Sequence, residues 1–377
     1  MQAFPKIRDT IRFDADSPDI YGFKRIQREP NEEARRSLLS AGVRITEPLF
    51  PDIHSALART EETLALPNPI EAYVVPDTAA QAACITISES FEFIVSMSSG
   101  LVELLTPQEL CFVMGHEVGH YIFQHSSHPT ENEVNTQHEH LNRLQLSRAA
   151  EISVDRTGFL CVDDLQTAGK AILKSASGLS ERHVRFKLDE YLSQLRDLKS
   201  IDGDHQEIYS THPRFSLRLK ALVLFSMSQP YYDWNGRSET APLSREKMDK
   251  RIEKELSEAS GNALETFREQ TLEKVRIWSA ASLVVADNRL TRDEQDLLTG
   301  YIGGTNTEKL VNFIKGCGPG LNDEIRNRLN DAVQTAKDLP QDLKTNLLKE
   351  IKVLGKKCSG DPQLITERIH QLNGWLG

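Results

Sequence analysis

The strongest constraint on the fold is the segment FVMGHEVGHYIFQH, at residues 112–125. His116 and His120 are four residues apart, so on an α-helix both side chains lie on one face, about one turn apart. Most of the neighbouring residues are apolar, which predicts a helix that is buried on most sides. Unpaired polar groups are costly in such surroundings. The segment therefore predicts that its histidines line a cleft or an interior site.

This spacing suits a metal ion. Neutral imidazoles hold zinc at about 2.0 to 2.1 Å and leave a position for water, and Glu117, beside His116, can take a proton from that water. The alternative is two surface histidines and a solvated glutamate, because the spacing also arises by chance. Gly115 and Gly119 each cost a helix interior roughly 1 kcal/mol relative to alanine. Their presence is understandable if another helix or strand passes close to the histidines.

A third ligand is expected from SRAAEISVDRTGF, residues 147–159. Glu151 and Asp155 share a helical face there, and we interpret Glu151 as the third ligand and Asp155 as the acceptor that orients a ligating histidine. A surface acidic pair is the alternative. The remaining nearby histidines lie in a polar connection and are interpreted as solvated: His125, His128, His138 and His140.

The rest of the chain predicts an α+β protein that is mostly helical. Apolar and alternating runs at 70–75, 83–88 and 91–97 predict a small sheet, and TPQE at 106–109 predicts a helix start with a capping box. Residues 228–246 have linker composition, and the C-terminal third is helical throughout, with breaks at 303–304, 318–320, 339–341 and 359–362. The predicted organisation is an N-terminal arm (1–40), a metal-binding domain (41–228), a linker (229–246) and an all-α domain (247–377).

Charge and composition exclude several classes of partner. The net charge is −10, with no block of more than two basic residues, which argues against nucleic acid as the main partner. No apolar run reaches the roughly 18 to 20 residues needed to span a bilayer, and the first residues lack the apolar core of a signal peptide. We therefore expect no transmembrane segment and a cytoplasmic location. The five scattered cysteines predict neither a disulfide framework nor a thiolate zinc site.

Four segments carry a resemblance to a known family: YVVPDTAAQAACITIS, the HEVGH helix, SRAAEISVDRTG and YSTHPRFSLRLKAL. Over about residues 40–225, the chain resembles the HtpX-like and CAAX-prenyl-protease-like zinc endopeptidases. The resemblance implies a zincin-like fold of the gluzincin type, with one zinc ion per chain bound by His116, His120 and Glu151, and with Glu117 as the base and proton shuttle. A Thr-His-Pro segment followed by arginine lies close to the active site in that family. It is matched here by Thr211, His212, Pro213 and Arg218. His212 could donate a hydrogen bond to the oxyanion of the tetrahedral intermediate. The alternative is a structural role in its loop or as a helix cap.

Two features depart from that family pattern. Characteristic members carry membrane-spanning helices, which this chain lacks, so a membrane-embedded or prenylated substrate is not implied. Gln81-Ala82 stands where many members have Asn-Ala on the substrate-binding strand. Backbone pairing of an extended peptide would survive that change, since it uses main-chain groups, whereas side-chain preference could differ.

The C-terminal third contains WSAASLVVADNRLTRDEQDLLTGYIGG, at residues 278–304, which resembles TerB-like helical domains. Asp287 and Glu294 match that motif, and Asn288 replaces its glycine. The alternative is a turn between helices in which Thr291 and Glu294 form a capping box. A divalent ion or a protein partner at Asp287, Asp293 and Glu294 is the functional hypothesis.

These observations predict a zinc-dependent endopeptidase without membrane spans that acts on protein or peptide substrates. Two rival hypotheses stay open at this stage. In the first, the chain is a catalytically silent scaffold with structural zinc, whose helical domain binds a partner. The intact Glu117 argues against it, because a structural site has no use for that carboxylate. In the second, the chain is a latent enzyme whose cleft is blocked by the N-terminal arm or the C-terminal domain.

Overall fold

The computed structural model describes residues 5–21, 31–88, 92–200, 210–260, 262–287 and 289–376. Most of these residues are helical and one small sheet is present, so the predicted α+β class with mostly helical content is confirmed. Several positions used above lie outside the described residues: 1–4 and 22–30 of the predicted arm, Phe91, Tyr209 and Asn288. The chain divides into two compact units, one of Met1–Glu133 with Asn142–Gly261 and one of Val134–Leu141 with Asn262–Gly377.

The first unit contains the sheet and the histidine-bearing helix. Its elements, in chain order, are α1 (Pro5–Ile11), α2 (Glu32–Ala41), β1 (Val43–Arg44), α3 (Pro51–Thr63), β2 (Glu71–Val75), β3 (Ala82–Ser88), β4 (Glu92–Ser98), α4 (Ser99–Leu104), α5 (Pro107–Ile122), α6 (Gln137–Val162), α7 (Leu165–Ser177), α8 (Leu188–Ser200), α9 (Phe215–Ser226), α10 (Gln229–Trp234) and α11 (Arg245–Ala259). The first residues of α6 belong to the second unit.

The sheet has the strand order β1-β2-β4-β3. Strands β2 and β4 run parallel, with Tyr73 opposite Ser96, and β3 pairs antiparallel to β4, with Cys84 opposite Val95. The three predicted strands are therefore confirmed. The structure adds a fourth strand, β1, whose two residues are too few to show a periodic pattern in the sequence. Because β3 lies at an edge of the sheet, one side of its backbone is not paired within the sheet.

Helix α5 begins as the sequence predicts. The Thr106 side chain accepts a hydrogen bond from the Glu109 backbone, and the Glu109 carboxylate accepts one from the Thr106 backbone, which completes the capping box. The helix packs against α3, α7 and strands β3 and β4, and most of its residues are buried. It is therefore a central helix of the first unit, as its apolar sequence indicates.

Helices α5 and α6 approach each other closely at their glycines. A methyl group on Gly115 would lie 2.5 Å from the sulfur of Cys161, and one on Gly119 would lie 3.0 Å from the Val154 side chain. From the other side, a methyl group on Gly158 would lie 2.5 Å from the carbonyl oxygen of Phe112. The two glycines that precede the histidines therefore do admit a neighbouring helix.

The first described residues are part of the core. Ile7, Ile11 and Phe13 are buried in the main apolar cluster of the first unit. The Phe13 backbone N–H donates to the Ser153 hydroxyl at 3.0 Å, and Arg156 donates to the Ile11 carbonyl at 3.2 Å. The segment from residue 5 to 16 is thus fixed against α6.

Besides the start of α6, the described residues of the second unit form six helices: α12 (Ala263–Val284), α13 (Arg292–Ile302), α14 (Gly304–Cys317), α15 (Leu321–Ala336), α16 (Gln341–Gly355) and α17 (Pro362–Leu376). The sequence breaks at glycine and proline fall between these helices, as expected. Thr291 and Glu294 form a capping box at the start of α13, and the other Glu294 oxygen accepts from the Ser359 hydroxyl at 2.9 Å. The capping-box alternative is therefore observed, and protein donors occupy both oxygens of this carboxylate.

Among the described helices, none combines the length and the apolar character that a membrane crossing requires.

We expect Gly158→Ala to destabilise the protein by about 1 to 3 kcal/mol, because the new methyl group must displace the backbone of α5. Gly300→Ala is the matched control, since it also lies in a helix and a methyl group there meets no atom within 4 Å. The control should be neutral or gain up to about 1 kcal/mol. Urea unfolding followed by circular dichroism measures both changes. Equal stability of Gly158→Ala and wild type would contradict the close approach.

The predicted domain boundary at 229–246 stays a prediction, which limited proteolysis tests. Helix α11 follows this stretch and belongs to the first unit, while residues 235–240 are exposed and outside helices. We expect trypsin to cut first between Ser228 and Arg245, with Arg237 as the accessible site. Fragment masses identify the cut, and Arg237→Gln should remove it. Early cuts elsewhere, with this stretch intact, would contradict the boundary.

Candidate metal centre

Three potential metal ligands converge between α5 and α6. The Nε2 atom of His116 lies 3.6 Å from one oxygen of Glu151, and the Nε2 atom of His120 lies 3.6 Å from the other. One ligand atom from each of the three residues falls within 4.8 Å of the others. The structure thus brings together the three side chains that the sequence selects as ligands.

The close helix approach explains how these side chains can meet. Glu151 and Val154 lie within one turn of α6, and Val154 contacts Gly119, directly before His120. A methyl group at Gly119 would lie 3.0 Å from Val154, so it would require α6 to give way by a few tenths of an ångström beside Glu151. The set of two nitrogens and one oxygen suits a divalent metal ion and leaves room for a further ligand.

Asp155 contacts His116 on the side away from Glu151. The Nδ1–H of His116 donates to Asp155 at 2.9 Å, and Arg218 on α9 donates to both Asp155 oxygens at 2.6 and 2.7 Å. Burial alone would raise the pKa of Asp155, but Arg218 and His116 outweigh it and lower that pKa to about 2. Asp155 therefore stays ionised, and in neutral His116 this hydrogen bond leaves Nε2 as the nitrogen with a lone pair.

His116 and His120 differ in their electrostatic surroundings. Burial disfavours the charged form of His116, yet Asp155 and Glu151 more than compensate, so its pKa lies above the ordinary value. Burial, His125 and His116 together hold the pKa of His120 well below the ordinary value. His120 is thus kept as a neutral imidazole, the form that binds metals.

His125 lies against His120 and is not solvated. Its Nδ1 atom is 2.9 Å from Nδ1 of His120, and its Nε2 atom is 2.8 Å from an oxygen of Asp16. Its side chain is 6% exposed. The interpretation of His125 as a solvated histidine is therefore wrong. It is also wrong for His138, which is buried beside Phe267 in the second unit.

The position of His125 depends on the end of α5. The helix ends at Ile122, and Gln124 has a left-handed backbone, with φ of 61°. This conformation turns the chain back, so that His125 faces His120. Sequence reasoning missed His125 and Asp16. The only signal was a histidine just beyond the helix end, and no local signal marks Asp16.

Asp16, His125 and His128 form a second group whose potential ligand atoms lie within 4.8 Å of one another. Asp16 is fully buried, and the side chain of Arg12 lies 3.3 Å from it. Burial alone would raise the pKa of Asp16, but His125 and Arg12 outweigh it and hold that pKa below its ordinary value. Asp16 is therefore a buried, ionised carboxylate next to the metal-ligand candidates.

Glu117 lines a cleft of about 370 Å³ together with the three ligand candidates. The edge strand β3 also lines the cleft, through Ala82, Ala83, Cys84 and Thr86. Burial is the main reason that the pKa of Glu117 is raised, and a hydrogen bond from the backbone of Cys84 opposes it. A carboxylate in this position can accept a proton from a molecule held in the cleft.

His212 also lines this cleft. Its Nε2 atom lies 3.5 Å from Glu151, and its side chain is 66% exposed. Its Nδ1 atom lies 2.8 Å from the Thr211 hydroxyl, which fixes the ring orientation. His212 therefore stands beside the ligand candidates, with Nε2 directed toward them.

Comparison with known proteins agrees with this geometry. Residues 49–141 match peptidase family M48. A relative from Arabidopsis thaliana, named plastoglobule-localized metallopeptidase 48, chloroplastic, is 26% identical over 217 residues. The match covers 51% of this chain and 62% of the relative, so the chain spans less than two thirds of that protein. No solved structure matches this chain.

The family match covers His116, Glu117 and His120 but ends before Glu151, Asp155 and Arg218. The structure adds these later residues to the same cluster through α6 and α9. Residues 49–141, which carry the HEVGH helix, are therefore similar to peptidase family M48.

Proposed function

We propose that this chain is a zinc-dependent endopeptidase of the HtpX-like and CAAX-prenyl-protease-like type, with a zincin-like fold in its first unit. The observation that carries the proposal is the convergence of His116, His120 and Glu151 at a cleft that Glu117 also lines. The M48 match over the HEVGH segment and the metallopeptidase relative support it.

The distances between the ligand atoms support zinc. Tetrahedral ligands at 2.0 to 2.2 Å from a zinc ion are about 3.3 to 3.6 Å from one another. Each imidazole nitrogen lies 3.6 Å from a different oxygen of Glu151. This distance is longer than a hydrogen bond and close to the separation of two ligands of one ion. Two histidines and a glutamate, with an open position, are also a known catalytic zinc set.

Glu117 is the proposed general base. When bound, zinc lowers the pKa of a water molecule to about 7 and polarises a carbonyl group. Glu117 accepts the proton of the attacking water and returns it to the leaving amine, so that one side chain acts first as base and then as acid. The raised pKa of Glu117 suits both roles, because it brings the carboxyl closer to neutral pH.

His212 is the proposed donor to the oxyanion that develops on the substrate carbonyl. Its Nε2 atom faces the ligand cluster, and Thr211 holds the ring from the other side. An exposed position at the cleft leaves His212 able to contact a substrate. A donor placed there stabilises the negative charge as it forms.

The substrate is proposed to be an extended peptide segment of a protein. Strand β3 is an edge strand and lines the cleft, so main-chain groups on its outer side can pair with a peptide. Gln81-Ala82 lies at the start of this strand. Main-chain pairing does not depend on these side chains, although the cleavage preference can.

The C-terminal unit is proposed to be a TerB-like helical domain that binds a protein partner. Its capping box at Thr291 and Glu294 accounts for the acidic motif structurally, so a partner is favoured over an ion at Glu294. A cytoplasmic location is proposed on the sequence features described above. The plastoglobule location belongs to the name of the Arabidopsis relative.

Metal analysis tests the ligand assignment. We expect one zinc ion per chain in wild type and its loss in His116→Ala and Glu151→Ala, because each substitution removes one of three protein ligands. His183→Ala, which changes an exposed histidine, is the control and should keep zinc. A chelator should lower the unfolding temperature of wild type but not that of the two ligand variants. Full zinc content in Glu151→Ala would place the third ligand elsewhere.

Substitution of Glu117 separates the enzyme from the scaffold. Glutamine has nearly the same size but cannot accept a proton at neutral pH, so Glu117→Gln should keep zinc and fold. Peptide-library cleavage should fall at least about 100-fold, the usual effect of losing a general base. Glu103→Gln makes the same change at an exposed position and should leave cleavage unchanged. A zinc-loaded Glu117→Gln protein with full biological activity would refute the peptidase proposal.

A further inference from the structure

We propose that Asp16 and His125 are positioning residues that hold His120 in the tautomer and orientation required for metal binding. This inference rests on the proposed zinc site. It makes the segment from residue 5 to 16 a component of the metal centre, although that segment is about 100 residues before the HEVGH helix in the sequence.

Metal binding at Nε2 of His120 would fix where each proton of the hydrogen-bond chain lies. Nε2 of His120 faces Glu151 and must carry a lone pair to bind a metal, so its proton is on Nδ1. That Nδ1–H donates to Nδ1 of His125, at 2.9 Å. His125 then carries its own proton on Nε2 and donates it to Asp16, at 2.8 Å. In this arrangement each of the four ring nitrogens has one consistent role.

The two ligand histidines are supported in parallel ways. His116 donates directly to Asp155, which is paired with Arg218. His120 donates through His125 to Asp16, which is paired with Arg12. Each ligand histidine is thus linked by hydrogen bonds to a buried carboxylate, and each carboxylate forms an ion pair with an arginine. Partners of this kind fix the ring orientation of a ligand and raise its basicity.

Two contacts hold Asp16 itself in place. Its backbone N–H donates to the Phe13 carbonyl at 2.9 Å, and its carboxylate pairs with Arg12, which also donates to the Phe123 carbonyl at 3.1 Å. Arg8 donates to the Ile122 carbonyl at 2.6 Å, so it anchors the earlier part of the segment to the end of α5 without contacting Asp16. The carboxylate is therefore fixed beside His125 without using Arg8 or the His120 ring.

A second metal ion at Asp16, His125 and His128 is the competing explanation. The positive guanidinium of Arg12, 3.3 Å from Asp16, disfavours another cation there. Nδ1 of His125 already accepts from His120, and its Nε2 is directed at Asp16. The charges and hydrogen bonds therefore favour the positioning role.

The test measures zinc affinity by competition with a chromogenic chelator. We expect His125→Ala and Asp16→Ala to bind zinc about 10- to 100-fold more weakly than wild type, the usual effect of losing such a partner. Asp16→Asn keeps a hydrogen-bond acceptor for His125 but removes the negative charge. Its zinc affinity should therefore lie between those of wild type and Asp16→Ala. Arg8→Ala is the matched control, because it loosens the same segment at Ile122 without touching this chain of hydrogen bonds. It should keep wild-type affinity.

The absorption spectrum of the cobalt-substituted protein provides a second readout. Changes at Asp16 and His125 should shift the ligand-field bands, since they alter the His120 ligand, whereas Arg8→Ala should not. If Asp16→Ala does not fold by circular dichroism, Asp16→Asn and His125→Ala decide the question. Equal zinc affinities and cobalt spectra for wild type and these variants would overturn the inference. An equal loss in Arg8→Ala would also overturn it, because the effect would then be a general loosening.

Metal stoichiometry separates the remaining outcomes. Two zinc ions per wild-type chain, with one lost in Asp16→Ala, would overturn the positioning role in favour of a second metal site. No zinc in wild type, or full zinc in His116→Ala, would instead refute the proposed zinc site itself. Tight binding of one zinc ion in wild type, with weaker binding in the Asp16 and His125 variants, would support both the zinc site and the positioning role.

Discussion

The approach of α5 to α6 at Gly115, Gly119 and Gly158 is the contact on which the candidate centre depends. Two helices with ordinary side chains pack about 8 to 10 Å apart, and glycines at the contact allow a closer approach. The approach brings the short carboxylate of Glu151 to both imidazoles of α5. Because glycine lowers helix stability, α5 relies on its capping box and on burial between its neighbours.

The same packing creates an electrostatic problem, since it buries Asp16, Glu151 and Asp155 within one region. A buried carboxylate is costly unless it is paired and hydrogen-bonded. Arg12 and Arg218 reach the two aspartates from α1's end and from α9, and the histidines donate to the same oxygens. Glu151 has no comparably short partner among the described residues, since its nearest cationic groups lie at 3.5 to 3.6 Å. This difference suits a carboxylate whose proposed partner is a metal ion.

Much of the fold was predictable because its signals are local. The capping box at Thr106, the three longer strands and the breaks between the C-terminal helices each depend on a few consecutive residues. The i, i+4 pairs at His116 and Glu151 are also local patterns. His125 and Asp16 could not be found in this way, because their contact joins residues 109 positions apart. It depends on the left-handed turn at Gln124 and on where α1 packs, and neither follows from periodicity.

The proposed roles imply that metal binding and docking of the N-terminal segment are coupled. His120 belongs to the metal site, and it reaches Asp16 through a single intervening side chain. If docking of Asp16 improves metal affinity, bound metal must favour docking by the same free energy, because linkage is reciprocal. The buried pairs also restrict which changes the segment tolerates. Removing Arg12 alone would leave a buried carboxylate with weaker compensation, which costs more than replacing both members of the pair by apolar groups. Asp16 and Arg12 are therefore expected to act as a unit, as are Asp155 and Arg218.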